Sequence, residues 1–366
     1  MAATESRAAT EDHGGRTRSL ATVLRRGGPF MAIWPITALL FLVSPLLAHG
    51  SLSNSSLQAM LPFAGVLAIT AIGQTLVIQQ GGLDLSVPGI FSLGVVLVVI
   101  VTNGDSSKLP LGLLVVVLAG LAAGLANGLA ITRLGITPLV ATLGMNGILL
   151  GVQQQVTNGS INYTAPSNWA SFVGSKIAGI TILAFIAVVA VVVVAIVMRR
   201  SVWGREFELV GAGPPAARAA GLPVRRYQTA SYALAGVCYA VAGALLAGFL
   251  GRPQLDAGNE YLLPTIAAVV LGGTALGGGR GSVLATGVGV LFLSQLDQLL
   301  QVLGVTQAYQ DIIYGAIVAL SMGLRSVPWR ALLSLGSRRR AGPGTGATSS
   351  AMPAGDSTLP TGAPTG

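Results

Sequence analysis

Asp84 lies in the heptapeptide Gly-Gly-Leu-Asp-Leu-Ser-Val (81–87), between two long apolar runs. Arg280 lies in Gly-Gly-Gly-Arg-Gly-Ser-Val (277–283), in the same setting. The two stretches match at Gly81 and Gly277, Gly82 and Gly278, Ser86 and Ser282, and Val87 and Val283; where one has Asp84 the other has Arg280. A carboxylate at the centre of a bilayer costs about 2.5–3.5 kcal/mol on insertion scales, so an ionisable residue there ordinarily faces protein or water and marks a path for solute or ion. Glycine-interrupted apolar segments at corresponding places in two halves of a chain point the same way. The chemistry on offer is transport, not bond-making. A plainer reading stands beside it, in which the glycines make tight reversals and the charges sit at the cytoplasmic rim. Asp84 and Arg280 are also candidates for mutual partners across the halves.

Other polar residues fall inside or beside the apolar runs: Gln74, Asn127, Thr142, Asn146, Gln295, Asp297, Gln298 and Gln301. Thr142 and Asn146 are four apart, on one face of a helix. Each of these is either a hydrogen bond between helices, worth about 0.6 kcal/mol, or a contact to substrate. Gly81, Gly82, Asp84, Ser86, Asn127, Thr142, Asn146, Gly277, Gly278 and Arg280 form the candidate pathway or helix-break set.

Catalytic and metal chemistry find little support. His13 and His49 are the only histidines, too few and too far from other ligands for a metal cluster or a Ser/His/Asp arrangement. Gly211 opens a loose GxGxxA pattern, but Pro214 and Pro215 break it and no βαβ unit surrounds it. No GxxxxGK[ST] occurs, so a P-loop for ATP is absent. The chain reads as a transporter subunit and not an enzyme, with no cofactor or metal of its own.

The elements that must hold these residues are membrane helices. Of 366 residues, 52% are hydrophobic and 9% charged, against about 25% charged in a soluble domain. Apolar runs cover about 30–49, 57–79, 87–102, 109–131, 136–156, 177–198, 228–250, 262–279, 283–303 and 307–324. Runs of this length predict an all-α polytopic bundle of about ten spans in two weakly related halves, not a β-barrel. Fifty glycines, mostly inside the runs, suit close helix packing. Ten crossings put both termini on one side, and only Lys108, Lys176 and Arg252 among the basic residues fall opposite. The positive-inside rule makes that side the cytoplasm. The net charge of +9 is therefore topology, with no nucleic acid implied. Cys238, the single cysteine, reads as packing.

Residues 1–29 read as a disordered cytoplasmic leader, 30–325 as the transmembrane domain and 326–366 as a largely disordered cytoplasmic tail. The outer loop 157–176 carries Tyr163, Trp169 and Phe172, as interfacial anchors or as a docking element. The inner loop 199–227 contains Pro214, Pro215, an Ala-Ala-Arg-Ala-Ala run and Gly221-Leu222-Pro223, the signals of a short helix with its start and stop.

Four segments in order then resemble the permease subunits of bacterial ABC importers for monosaccharides, the ribose/xylose/arabinose/galactoside family, across 57–325. They are Gly73 to Gly89 (its GGIDLSVG), Ala126 to Gly151 (its NG…ITPFIATLG), Glu208 to Leu222 (its AAR-containing loop) and Thr265 to Leu293 (its IAAVVIGGTSLxGGxGS). Pro88, Pro214-Pro215 and Ala220 depart from that pattern. The resemblance implies a multi-pass protein of the bacterial inner membrane, working as a dimer. Its partners would be a cytoplasmic ATPase that binds ATP with magnesium, an extracytoplasmic sugar-binding protein and membrane lipid. Gly211, Gly213, Ala216, Ala217, Arg218 and Gly221 would form the ATPase-coupling loop. Permeases for branched-chain amino acids or nucleosides rank second, and an ion-coupled secondary transporter behind them.

Overall fold

The computed structural model describes residues 30–160, 162–251 and 254–326. The predicted leader and nearly all of the predicted tail lie outside the described residues. Residues to Met322 form one compact unit; of the second, which begins at Gly323, residues 323–326 are described and are helical.

The helices are α1 (Ile33–Leu47), α2 (Asn54–Gln79), α3 (Val87–Thr102), α4 (Leu109–Thr132), α5 (Pro138–Thr157), α6 (Ser167–Gly174), α7 (Ile182–Arg200), α8 (Val202–Ala212), α9 (Pro214–Ala219), α10 (Val224–Leu250), α11 (Asn259–Leu271), α12 (Val283–Val302) and α13 (Gln307–Ser326). Each of the ten apolar runs contains a helix. By length and composition α2, α4, α7, α10 and α12 suffice to cross a membrane, and α1, α3 and α11 are apolar but shorter. The eighth run was expected to be helical to 279; α11 stops at Leu271. Gly273, Gly278 and Gly279 adopt positive φ, which α-helix does not allow and which glycine accepts without a Cβ clash.

α10 is the hub, packed against α2, α3 and α4. α2 is buried on nearly every side from Ala64 to Gln79, as expected of a helix apolar all round. Glycines set the spacing. A Cβ on Gly124 of α4 would lie 2.2 Å from the Tyr232 carbonyl oxygen of α10, and one on Gly243 of α10 2.0 Å from the Phe91 carbonyl oxygen of α3. Backbones this close gain dispersion that bulkier residues would forbid. Thr132 and Thr229 share a hydrogen bond of 2.9 Å further along the α4–α10 seam.

Three local elements were not expected. The inner loop holds α8 ahead of the predicted short helix α9, and the outer loop holds α6 and a hairpin of Lys176–Ile177 with Ile180–Thr181. Trp169 of α6 is buried and donates from its indole N–H to the Ala244 carbonyl of α10 at 2.9 Å. It anchors the outer loop to the bundle, while Tyr163 stays exposed.

Gly124→Leu should destabilise the fold by about 1–3 kcal/mol, the usual cost of overpacking. Gly144→Leu, where an added Cβ meets nothing within 4 Å, should leave stability unchanged. Thermal unfolding in detergent, followed by size exclusion, reads both.

Candidate functional site

The loop after α2 is built by its glycines. Gly81, at φ +77°, turns the chain, and the amides of Gly81 and Gly82 return to the carbonyls of Ile78 and Val77 at 2.9 and 3.1 Å. An added Cβ on Gly82 would lie 2.2 Å from the Tyr232 hydroxyl. The chain then presents Asp84, fully buried, whose Oδ1 accepts the Ser86 amide at 2.8 Å and the Ser86 hydroxyl at 2.5 Å. Asn127 of α4 donates to Ser86 Oγ at 2.8 Å. The carboxylate thus sits beside the N-terminus of α3, where the helix dipole favours negative charge.

The orphan amides of that terminus find partners on α5. The Thr142 hydroxyl accepts from the Leu85 amide at 3.0 Å and Asn146 Oδ1 from the Gly89 amide at 2.7 Å, while Gln153 donates to the Gly89 carbonyl at 2.9 Å. Thr142 and Asn146 accept from these amides as a cap residue would. Ser86 holds the N-cap position but makes no cap bond, because its hydroxyl is given to Asp84. Its counterpart Ser282 caps α12 through the Ala285 amide. Three buried polar atoms around the loop, Asp84 Oδ2, Asn127 Oδ1 and Tyr232 Oη, have no partner among the described residues.

The second glycine loop, 272–282, meets the first. The Gly279 amide donates to the Gln79 carbonyl at 2.9 Å. A Cβ on Gly81 would lie 3.5 Å from the Gly277 carbonyl oxygen, and one on Gly278 2.9 Å from the Gly81 nitrogen and 3.0 Å from the Gly211 carbonyl oxygen. Gly211 belongs to α8, and its own added Cβ would lie 2.1 Å from the Gln79 carbonyl oxygen. The Gln80 amide group donates to the Phe207 carbonyl of α8 at 2.7 Å. Three sequence-distant glycine stretches therefore touch backbone to backbone at one place.

Asp84 and Arg280, expected as partners, are not paired. Arg280 is exposed and lies 3.6 Å from Glu208, also partly exposed, whereas Asp84 is sealed behind Ser86 and Asn127. Arg280 reaches outward because the Gly277–Gly279 backbone fills the space between the halves.

In the inner loop, Gly213 has extended φ and links α8 to α9, and Gly221, at φ +82°, ends the segment. Ala216 and Arg218 point outward, while Ala217 is buried among Leu76, Phe207, Val210, Val224 and Tyr227. The two alanines are not equivalent: one faces solution and one locks α9 to the bundle. Tyr227 also donates a short hydrogen bond to Glu206.

At the other end of α2 lies a cavity of about 330 Å³, lined by residues of α2, α11, α12 and α13. Glu260, Asp297, Gln298, Gln301, Gln307 and Tyr314 supply its polar groups, and Phe63 and Tyr261 its rings. Gln301 donates to Asp297 at 3.0 Å, and the Tyr314 hydroxyl also bonds that carboxylate. Asp297, Gln298 and Gln301 were candidates from sequence. Glu260, Gln307 and Tyr314 were missed, since they come from other helices and share no spacing with α12. Gln295 and Gln74 are elsewhere: Gln295 donates to Ser44 at 3.0 Å, and Gln74 accepts from Tyr239 at 2.8 Å.

Residues 56–322, the span that contains both glycine loops, the inner loop and the cavity, match the family described as branched-chain amino acid transport system / permease component. The chain belongs to this permease family. The permease is 32% identical to a ribose import permease protein of Bacillus subtilis over 304 residues, 82% of this chain and 92% of the relative. It is 30% identical to an autoinducer 2 import system permease protein of Escherichia coli K12 over 306 residues, 80% of this chain and 92% of the relative. No solved structure gives a match. The permease is thus a membrane transport component and not a catalyst.

Exchanging the charges, with Asp84→Arg and Arg280→Asp together, should not rescue the defect of Asp84→Arg alone, because the two never meet. Asp84→Ala should cost about 1–3 kcal/mol, since it strips a buried acceptor from the Ser86 amide. Asp84→Asn, which keeps an acceptor oxygen, should cost less. Unfolding midpoints of the purified permease test the series.

Proposed function

We propose that this permease is the membrane subunit of an ATP-driven ABC importer. It would carry a monosaccharide or a related small polar solute inward, as a pair of identical chains in the bacterial inner membrane with both termini cytoplasmic. The observation that carries the reading is the backbone contact of α8 with both glycine loops. A push on the inner loop reaches the ends of α2, α3, α11 and α12 through glycines too close to slide independently. With no P-loop in the chain, the push would come from a cytoplasmic ATPase holding ATP and magnesium. The outward face of α9, with Ala216 and Arg218, is the surface offered to it. An extracytoplasmic binding protein would deliver the solute at the other face, and lipid would surround the dimer.

The relatives' names support a sugar-like cargo, and so does the chemistry of the outer cavity. Its volume is at the small end for small-molecule sites, and its carboxylates, amides and rings suit hydroxyls and the apolar face of a pyranose or furanose. The family's description raises the second reading, a branched-chain amino acid. An amino acid carries a carboxylate, and no cationic side chain lines the cavity among the described residues, which favours the sugar.

Proteoliposomes containing the permease, its ATPase and its binding protein test the reading. ATP hydrolysis should rise only when the binding protein is loaded, and the loading solute names the cargo. Stimulation by leucine and not by any sugar would sink the sugar assignment, and import driven by an ion gradient without ATP would sink the importer class. Ala216→Trp should abolish stimulated import while leaving the fold intact. Gly211→Val should also abolish stimulated import by prising α8 off Gln79, at a cost in stability like that of Gly124→Leu. Asp297→Asn with Glu260→Gln should lower import about ten- to a hundredfold, the value of one or two hydrogen bonds to charged groups, with basal hydrolysis unchanged.

A further inference from the structure

A cavity of about 550 Å³ opens between α4, α8 and α10, away from the glycine junction and from the outer cavity. Arg133, Arg225 and Arg226 line it, and none of their guanidinium groups has a hydrogen bond or ion pair among the described residues. No carboxylate lines it. Its lining is otherwise mostly apolar: Leu125 and Leu129, one turn apart on α4, and Leu234 of α10, all three exposed.

The two arginines of α10 are in an unfavourable place. They occupy its first turn, which holds no acidic residue and no side-chain cap, where the helix dipole repels cations. Arg133 adds a third positive charge within the same cavity. Three cations gathered at the positive end of a helix need an anion between them, and a groove of exposed leucines running into the membrane needs hydrocarbon. One molecule supplies both.

We propose that this cavity binds an anionic phospholipid of the cytoplasmic leaflet, with the phosphate held by Arg133, Arg225 and Arg226 and an acyl chain laid along Leu125, Leu129 and Leu234. The site lies against α8 and the start of α10, so lipid occupancy bears on the same inner loop that touches the glycine junction. An acidic protein surface would answer the arginines but leave the leucine groove unfilled, and so fits less of the cavity. A basic cavity between helices at this face is a recognised form of headgroup site.

Trp203 of α8 lines the cavity and serves as the reporter. The full-length permease is placed in nanodiscs of phosphatidylcholine, in which either brominated phosphatidylglycerol or brominated phosphatidylcholine is the minor component. The part of the fluorescence quenching lost in Trp203→Phe is the signal from this site. Brominated phosphatidylglycerol should quench Trp203 well beyond brominated phosphatidylcholine. That preference should fall roughly fivefold for each of Arg133→Gln, Arg225→Gln and Arg226→Gln, as expected for one cationic side chain near an anionic surface. The triple lysine variant should keep most of it, and melting temperatures show which variants remain folded; if the triple glutamine variant does not fold, the single variants carry the result. Equal quenching by the two lipids overturns the proposal. So does a preference that survives the glutamine substitutions, or a loss of ATPase-subunit binding in those variants with the lipid preference unchanged. None of these readings depends on which solute is transported.

Discussion

Backbone amides and carbonyls that leave a helix inside a membrane have no water to turn to, and each one left unsatisfied costs several kcal/mol. This permease interrupts its apolar runs with glycine loops after Gln79 and after Leu271, and much of its polar architecture follows from settling those interruptions. α3 and α11, at 16 and 13 residues, reach about 24 and 20 Å at 1.5 Å per residue, short of a hydrocarbon core of about 30 Å. The glycine loops add irregular backbone, and neighbouring backbone and side chains enclose it: fully around Asp84, and only in part around Arg280, which stays exposed.

The two breaks are settled differently, and the difference explains the asymmetry of the repeat. After Leu271 the solution is local: Ser282 caps α12 and the glycine backbone leans on Gln79. After Gln79 the cap serine is diverted to Asp84, and α5 supplies Thr142 and Asn146 as acceptors in its place, with Gln153 donating to the Gly89 carbonyl. A charge that looked like a transport group in isolation is held inside this network through one of its oxygens. Its second oxygen, with Asn127 Oδ1 and Tyr232 Oη, has no hydrogen-bond partner among the described residues. Polar atoms so placed are costly in a low dielectric.

Close contact between glycines turns these local solutions into one mechanical unit. Side chains between α8 and the loops would allow slippage, since rotamers can absorb small displacements. Backbone against backbone, as at Gly211, Gln79 and Gly278, leaves no such slack. The buried face of α9 adds to this, with Ala217 set among Phe207, Val210 and Tyr227. The inner loop is therefore an extension of the bundle's frame, and its outward face is free for a partner.

Much of this was legible in the residues. Ten apolar runs, charge asymmetry and glycine content are statements about water and lipid, and they set the helices, the membrane class and the repeated glycine loops without any knowledge of long-range contacts. The prolines and glycines of the inner loop marked α9 because caps and breakers act within a few residues. What stayed hidden were features that depend on which helix lies beside which. The end of α11 at Leu271 was masked by apolar residues that fit a helix equally well. The polar residues of α5 looked alike as glue or as ligands until the amides of α3 were found opposite them. Opposite charges at matched positions suggested a pair, and only the packed structure showed Arg280 turned toward Glu208 and Asp84 sealed within. The outer cavity joins residues of four helices with no common spacing. Local chemistry decided what each segment is; the close crossing of glycine-lined helices decided what each polar group meets.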